Sequence, residues 1–136
     1  MANVMTQQGD TIILAVLVGD DSADPLKLKL FKNDHVPAVT DYEGDYTEAD
    51  FSGYDDTDPD LVWGAAFVNG DGKGEIDATA KTFTHDGGAT DNTIYGAYVT
   101  TQDDRLIYAE RFPAPIVMDT AASSIPYTAK LTGVQE

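Results

Sequence analysis

The chain has no cysteine in its 136 residues. Disulfides, thiolate nucleophiles and Cys-ligated zinc are therefore excluded, and cysteine usage says nothing about redox compartment. Positive charge is also scarce. Eight Lys plus Arg stand against 24 Asp plus Glu, for a formal charge of −16. A surface of that sign repels phosphate, which argues against sequence-independent nucleic-acid binding and against docking on anionic lipid. The apolar run Thr11 to Val18 is far shorter than the ~20 residues a membrane-spanning helix needs. No Lys or Arg precedes Lys27, so the start lacks the positive segment of a secretory signal, and synthesis and folding in the cytoplasm are the expectation. Histidine occurs only as His35 and His85, and neither stands in a nucleophile or zinc-protease motif. Ser22, Ser52, Ser123 and Ser124 lack a nucleophile-elbow context, and there is no phosphate loop. Neither an enzyme nor a cofactor is expected.

What is present is an apolar fraction of 42%, enough for a core and too much for global disorder, at a length that fits one domain. Of the acidic residues, 19 are Asp and only 5 are Glu. Asp favours caps and turns over helix interiors, so this bias points to a loop-rich β protein. Residues 1–10 are polar and read as an N-terminal arm, with residues 11–136 as a single domain. The run Thr11–Val18 is uniformly apolar. Its β-branched residues favour a strand, although Asp10 and Gly19 would suit the two ends of a helix.

Leu26 to Lys32 alternates, with Leu26, Leu28 and Leu30 opposite Lys27 and Lys29, as in a half-buried strand. Tyr46 to Tyr54 reads as one helical turn, with Thr47 and Asp50 as a capping box and Gly53 as the stop, placing Phe51 and Tyr54 in the core. Leu61–Val68 reads as a buried strand, followed by a turn at Asn69–Gly74. Glu75–Lys81 alternates again, and Phe83 falls out of phase, as after a bulge. Thr93–Thr101 carries Tyr95, Ala97 and Val99 on one face and Ile94 and Tyr98 on the other, which suits a central strand or half of a subunit interface. A short connection at Gln102–Asp104 leads to Arg105–Phe112, Pro113 and Pro115 interrupt pairing, and Ile116–Met118 and Ile125–Thr132 read as the last strands. The pattern predicts an all-β fold, a β-sandwich or jelly roll of seven to eight short antiparallel strands with one short helical turn.

Two acidic stretches are candidate cation sites. In Asn69–Asp77, the residues Asn69 and Asp71 match the first ligand positions of a calcium loop. Lys73 then occupies a ligand position and Ala80 stands where a bidentate Glu is needed, so an ordinary turn is favoured. The cluster Asp55, Asp56, Asp58 and Asp60 is the second candidate, against a simply solvated loop. No metal is expected at either.

Several segments together resemble a group of small structural proteins of tailed bacteriophages. Leu28 to Asn33 resembles the group's "L-x-L-[FY]-K-N" strand, and Tyr46 to Tyr54 its "[FY]-T-E-A-D-F-x-G-Y" turn. Trp63, Phe83, Ile94 to Val99 and Ala109-Glu-Arg-Phe112 are similar to its later landmarks, and the resemblance covers about residues 26–118. The charge and the apolar run at 11–18 depart from that pattern, in which a more polar, helical segment belongs. The resemblance implies a virion component without enzymatic activity. The expectation is a capsid decoration (cement) protein on the outer head surface, a homo-oligomer, typically a trimer, whose partner is the major capsid protein. The residues 1–10 and the cations Lys27, Lys29, Arg105 and Arg111 would supply contacts. The alternative is a tail- or fibre-associated protein, or a receptor-binding one. A secreted calcium- or carbohydrate-binding module is a third class, and the missing signal segment counts against it.

Overall fold

The computed structural model describes residues 4–19, 25–54 and 60–133. Among these residues the chain is mostly β and sandwich-like, with antiparallel sheets, one helix and one 3-10 turn. Nine strands are present among them: β1 Val4–Met5, β2 Lys27–Phe31, β3 Phe67–Val68, β4 Gly74–Asp77, β5 Lys81–Thr84, β6 Asn92–Thr100, β7 Leu106–Met118, β8 Ser124–Tyr127 and β9 Lys130–Thr132. They form a four-stranded sheet of order β1-β7-β6-β2, a three-stranded sheet β3-β4-β9 and a two-stranded sheet β5-β8.

The main core lies on one face of the four-stranded sheet. Leu28, Leu30, Ile94, Ala97, Val99, Ile107 and Tyr108 pack there with Phe51, Tyr54, Phe83, Ile125 and Ala129. A second, smaller core of Phe31, Tyr98, Leu106 and Ala109 lies on the other face, closed by Tyr46. β6 is thus central and covered on both sides, which accounts for its two-sided apolar pattern. Two irregularities distribute its residues. Ile94 pairs with Ile116 but Gly96 pairs with Arg111, so Phe112 to Pro115 have no partner in β6. This break, at the two prolines, lets Ile94 join Ala97 and Val99 in the main core while Tyr95 packs with Tyr98. A second shift between Val99 and Thr100 leaves Ile107 as an extra residue in β7. Ile107 and Tyr108 therefore face the same core.

Several expectations are corrected. Thr11–Val18 is not a strand but belongs to a helix, α1, over Gln7–Leu17. The decisive cap is Thr6 rather than Asp10: its Oγ1 accepts a hydrogen bond from the Gly9 amide at 2.9 Å. Gly19, at φ +78°, ends the helix. Residues 4–10 are not the free arm that their polarity suggests. Val4 and Met5 pair with Ala109 and Tyr108, and the Thr6 hydroxyl donates to the Leu106 carbonyl at 2.7 Å. Gly9 packs so closely on the Ile107 carbonyl that a Cβ would collide with it.

The helical turn expected over Tyr46–Tyr54 is displaced. The 3-10 turn is Glu43–Asp45, closed by the Asp45 carboxylate accepting from the Tyr42 amide at 2.9 Å, and not by a capping box of Thr47 with Asp50. Residues 47–49 instead run along β2, with the Lys32 amide bonded to the Thr47 carbonyl and the Ala49 amide to the Leu30 carbonyl, each at 2.9 Å. These bonds cover what would otherwise be an open sheet edge. Only the end of the segment turns, at Gly53 (φ +98°). Phe51 and Tyr54 are buried as expected.

Leu61–Val68 is not a buried strand. Leu61 is buried and Trp63 bridges to Ala78, but β3 is an edge strand whose Phe67 and Val68 are exposed. The alternation over 75–81 does break before Phe83, because β4 and β5 belong to different sheets. β2 is buried on both faces rather than one, and Lys29 is buried with it.

Candidate functional site

The richest polar constellation lies over the second core, where the chain from Asn33 to Tyr46 folds back across the four-stranded sheet. Its centre is Asp41. One carboxylate oxygen, Oδ2, is 2.7 Å from His35 Nε2 and accepts from the Tyr46 hydroxyl at 2.7 Å and the Ala38 amide at 2.9 Å. Burial pushes the Asp41 carboxyl up, but the Tyr46, His35 and Ala38 bonds together outweigh it and hold the group below its ordinary value. Burial, with the carboxylate it serves, raises the Tyr46 hydroxyl well above the ordinary tyrosine value. The Tyr46 ring stacks on Tyr98 at 5.1 Å and meets Phe31 and His35 edge-on at 5.0 and 4.9 Å.

Arg111 fixes the outer rim of this segment. Its guanidinium donates to the His35 carbonyl at 2.9 Å and to Asp34 Oδ1 at 2.6 Å, and lies 5.4 Å from the Tyr95 ring centre. On the opposite rim, Lys29 is buried, with its ammonium 2.8 Å from Asp104, 3.8 Å from Glu43 and 5.8 Å from the Tyr98 ring centre. Lys27 reaches the same Asp104 oxygen at 3.7 Å. Asp104 is offered to both by the turn joining β6 to β7, where it adopts a left-handed backbone at φ +62°. Its carboxyl is held below the ordinary value, first by the Lys29 hydrogen bond and with help from Lys27.

The four cations singled out from the sequence therefore separate into two groups. Lys27 and Lys29 meet at Asp104, and Arg105 is next in the chain, 3.1 Å from Asp103. Arg111 stands apart, on the Asp34–His35 side. All four hold acidic groups of their own chain. Chemically, the whole arrangement is a set of charge-assisted hydrogen bonds that fasten a loop onto a sheet.

Of the cation-site candidates, Asp55 and Asp58 lie outside the described residues. Asn69 and Asp71 sit in the turn joining β3 to β4. There the Asn69 side-chain oxygen accepts from the Asp71 and Lys73 amides at 2.9 and 3.1 Å, the geometry of an Asx-stabilised turn. Among the described residues no cluster of three or more His, Cys, Asp or Glu side chains is arranged to hold a metal ion. No described helix is long and apolar enough to cross a membrane.

His85, which stands in no catalytic motif, is fully buried. Its ring stacks on Phe51 at 6.0 Å, its Nε2 lies 3.0 Å from the Thr90 carbonyl, and its Nδ1 accepts from the Gly87 amide at 2.9 Å. The His35–Asp41–Tyr46 cluster was not singled out from the sequence at all. The available signal was three complementary side chains within twelve residues around Pro37, in a segment without regular periodicity. No protein-family model, curated protein or solved structure matches this chain.

Proposed function

We propose that this chain is a structural component of a tailed-bacteriophage virion, specifically a capsid decoration (cement) protein. It acts without catalysis, as a homo-oligomer (a trimer by the resemblance), on the outer head surface after synthesis in the host cytoplasm. Its partner is the major capsid protein, and it stabilises the head by burying surface across neighbouring capsomers.

The observation that carries this proposal is that the landmark segments of the resemblance interlock in space. The Leu30 amide donates to the Tyr54 hydroxyl at 3.1 Å, so the opening strand and the "T-E-A-D-F" turn are fastened to each other. Tyr54 stacks on Phe83 at 5.6 Å. Ala109 and Arg111 of the "A-E-R-F" segment pair with Tyr98 and Gly96 of the "Y-G-A-Y-V" strand. The segments that carry the resemblance are thus packing contacts of one fold, which supports reading them as structural. The acid supports the same proposal. It is concentrated in the loops, while much of the scarce basic charge is paired internally and keeps the sheets neutral. Arg105 has the most open side chain of the four proposed contact cations.

Separating virions into heads and tails and counting copies of the chain in each fraction tests the proposal. Many copies on the heads support it. A few copies confined to tails overturn it in favour of a tail-associated or receptor-binding role.

A further inference from the structure

We infer that the outer face of α1 is a surface through which copies of this chain associate. The helix has two sides. Gly9 and Ile12 face β7 and the core, with Ala15 and Val16 half-buried beside them. The opposite side is polar only in its first turn. Beyond it, Ile13, Leu14, Leu17 and Val18 are 40%, 61%, 78% and 77% exposed. Ile13 with Leu17 and Leu14 with Val18 make two adjacent i, i+4 ridges, the relief by which helices interdigitate. From Ile12 on, the helix is apolar all round, a pattern that belongs in an interior, and nothing in the chain's own described fold covers this side.

Charge excludes two classes of occupant, and the exposed area argues for a second copy. The chain carries −16, yet Thr11 to Gly19 contains no charged residue, and the only one on α1 is Asp10, at its start. Anionic lipid and nucleic acid are repelled by the rest of the molecule at a distance. Two copies repel each other likewise, except where these uncharged ridges meet about the symmetry axis of a closed homo-oligomer. The four side chains expose on the order of 500 Å² per copy, hence roughly 1,000 Å² across a pair, at the lower bound for a specific interface. Association through this face is therefore concentration-dependent and strengthens with salt, which screens the surrounding acid. The inference rests on the chain alone and holds wherever the protein works.

The chain has no cysteine, so one introduced thiol reports proximity unambiguously. Leu17→Cys is expected to form disulfide-linked dimers on mild oxidation of the purified full-length protein. The control Asp71→Cys, in the exposed β3–β4 turn, is expected to stay unlinked. In parallel, sedimentation of wild type at rising concentration is expected to show self-association that Leu17→Gln abolishes, with circular dichroism, and melting at dilute concentration, unchanged because the position is open. A wild type that stays monomeric in high salt overturns the inference and leaves the face to a different protein. Self-association untouched by Leu17→Gln, or equal cross-linking of both cysteine variants, overturns it by placing the contact elsewhere.

Discussion

Two buried tyrosines give the fold its sharpest test, because the same deletion of one oxygen should have opposite effects. The Tyr54 hydroxyl accepts from the buried Leu30 amide at 3.1 Å and donates to Glu48 at 2.9 Å. In Tyr54→Phe the ring keeps its contacts with Phe51 at 5.3 Å and Phe83 at 5.6 Å. The exposed Glu48 carboxylate regains water at little cost, but the Leu30 amide is stranded, for a loss of about 1–3 kcal/mol. The Tyr98 hydroxyl is equally buried and has no hydrogen-bond partner among the described residues. Tyr98→Phe keeps the stacking on Tyr46 and removes a desolvated, unsatisfied group, so stability should be unchanged or rise by up to about 1 kcal/mol. Urea unfolding followed by tryptophan fluorescence at Trp63 reads both. With a denaturant slope of about 1–3 kcal/mol per molar, Tyr54→Phe should lower the midpoint by roughly 1 M while Tyr98→Phe leaves it in place or raises it. Equal losses in the two variants, or a neutral Tyr54→Phe, would refute the assignment of the Leu30–Tyr54 bond as the clasp between the opening strand and the following segment.

Three further perturbations have defined outcomes. Asp104→Asn keeps a side chain that tolerates φ +62° but removes the nearer of the two counter-charges of buried Lys29, and should cost about 1.5–3 kcal/mol, whereas Lys29→Met, which leaves only part-exposed carboxylates behind, should cost less; thermal melts of the pair check the order. The Asp41 carboxyl is held below its ordinary value in the fold, so its stabilisation is complete above the unfolded value near 3.9 and is lost as pH falls through the lower folded value. Asp41→Asn should lose about 1–3 kcal/mol at neutral pH and show a smaller further loss below about pH 4, read from unfolding free energies at several pH values. Gly9→Ala raises helix propensity by about 1 kcal/mol but drives a methyl into the Ile107 carbonyl, so the net change should be destabilising by about 1–2 kcal/mol in a chemical denaturation series.

The strands bounded by defined turns were legible as elements, although β2 is buried on both faces and the break after Ile94 puts Ile94 and Tyr95 on the faces opposite to those their alternation predicts. β2 and the β6–β7 hairpin are examples, and so are the prolines that interrupt β7 and the core positions of Phe51 and Tyr54. What failed had physical reasons. Apolar composition was taken for burial at Leu61–Val68, yet an edge position leaves Phe67 and Val68 open. β-branched content favoured a strand at Thr11–Val18, but the cap that decides the helix is Thr6, ahead of the run, and its hydroxyl is anchored by β7 carbonyls a hundred residues away. No local signal reports such a partner. The same holds for the polar constellation. The sequence marked Lys27, Lys29, Arg105 and Arg111 as scarce positive charges, whereas their partners Asp104, Glu43, Asp103 and Asp34 were four among many acids. Asp41 has the densest hydrogen bonding of these groups because Tyr46 and Ala38 converge on the oxygen that His35 also reaches, a geometry set by how the loop closes over Tyr98.

A cement protein must hold a filled head together, so release of packaged DNA is the most direct measurement. Heads stripped of the chain and heads to which the purified protein has been added back would be heated, or shifted abruptly to low salt, in the presence of a DNA-binding dye. The account predicts that stripped heads release DNA at lower temperature or milder shock, and that add-back restores resistance in proportion to the copies bound. Identical release from the two preparations, with the protein demonstrably bound, would contradict it.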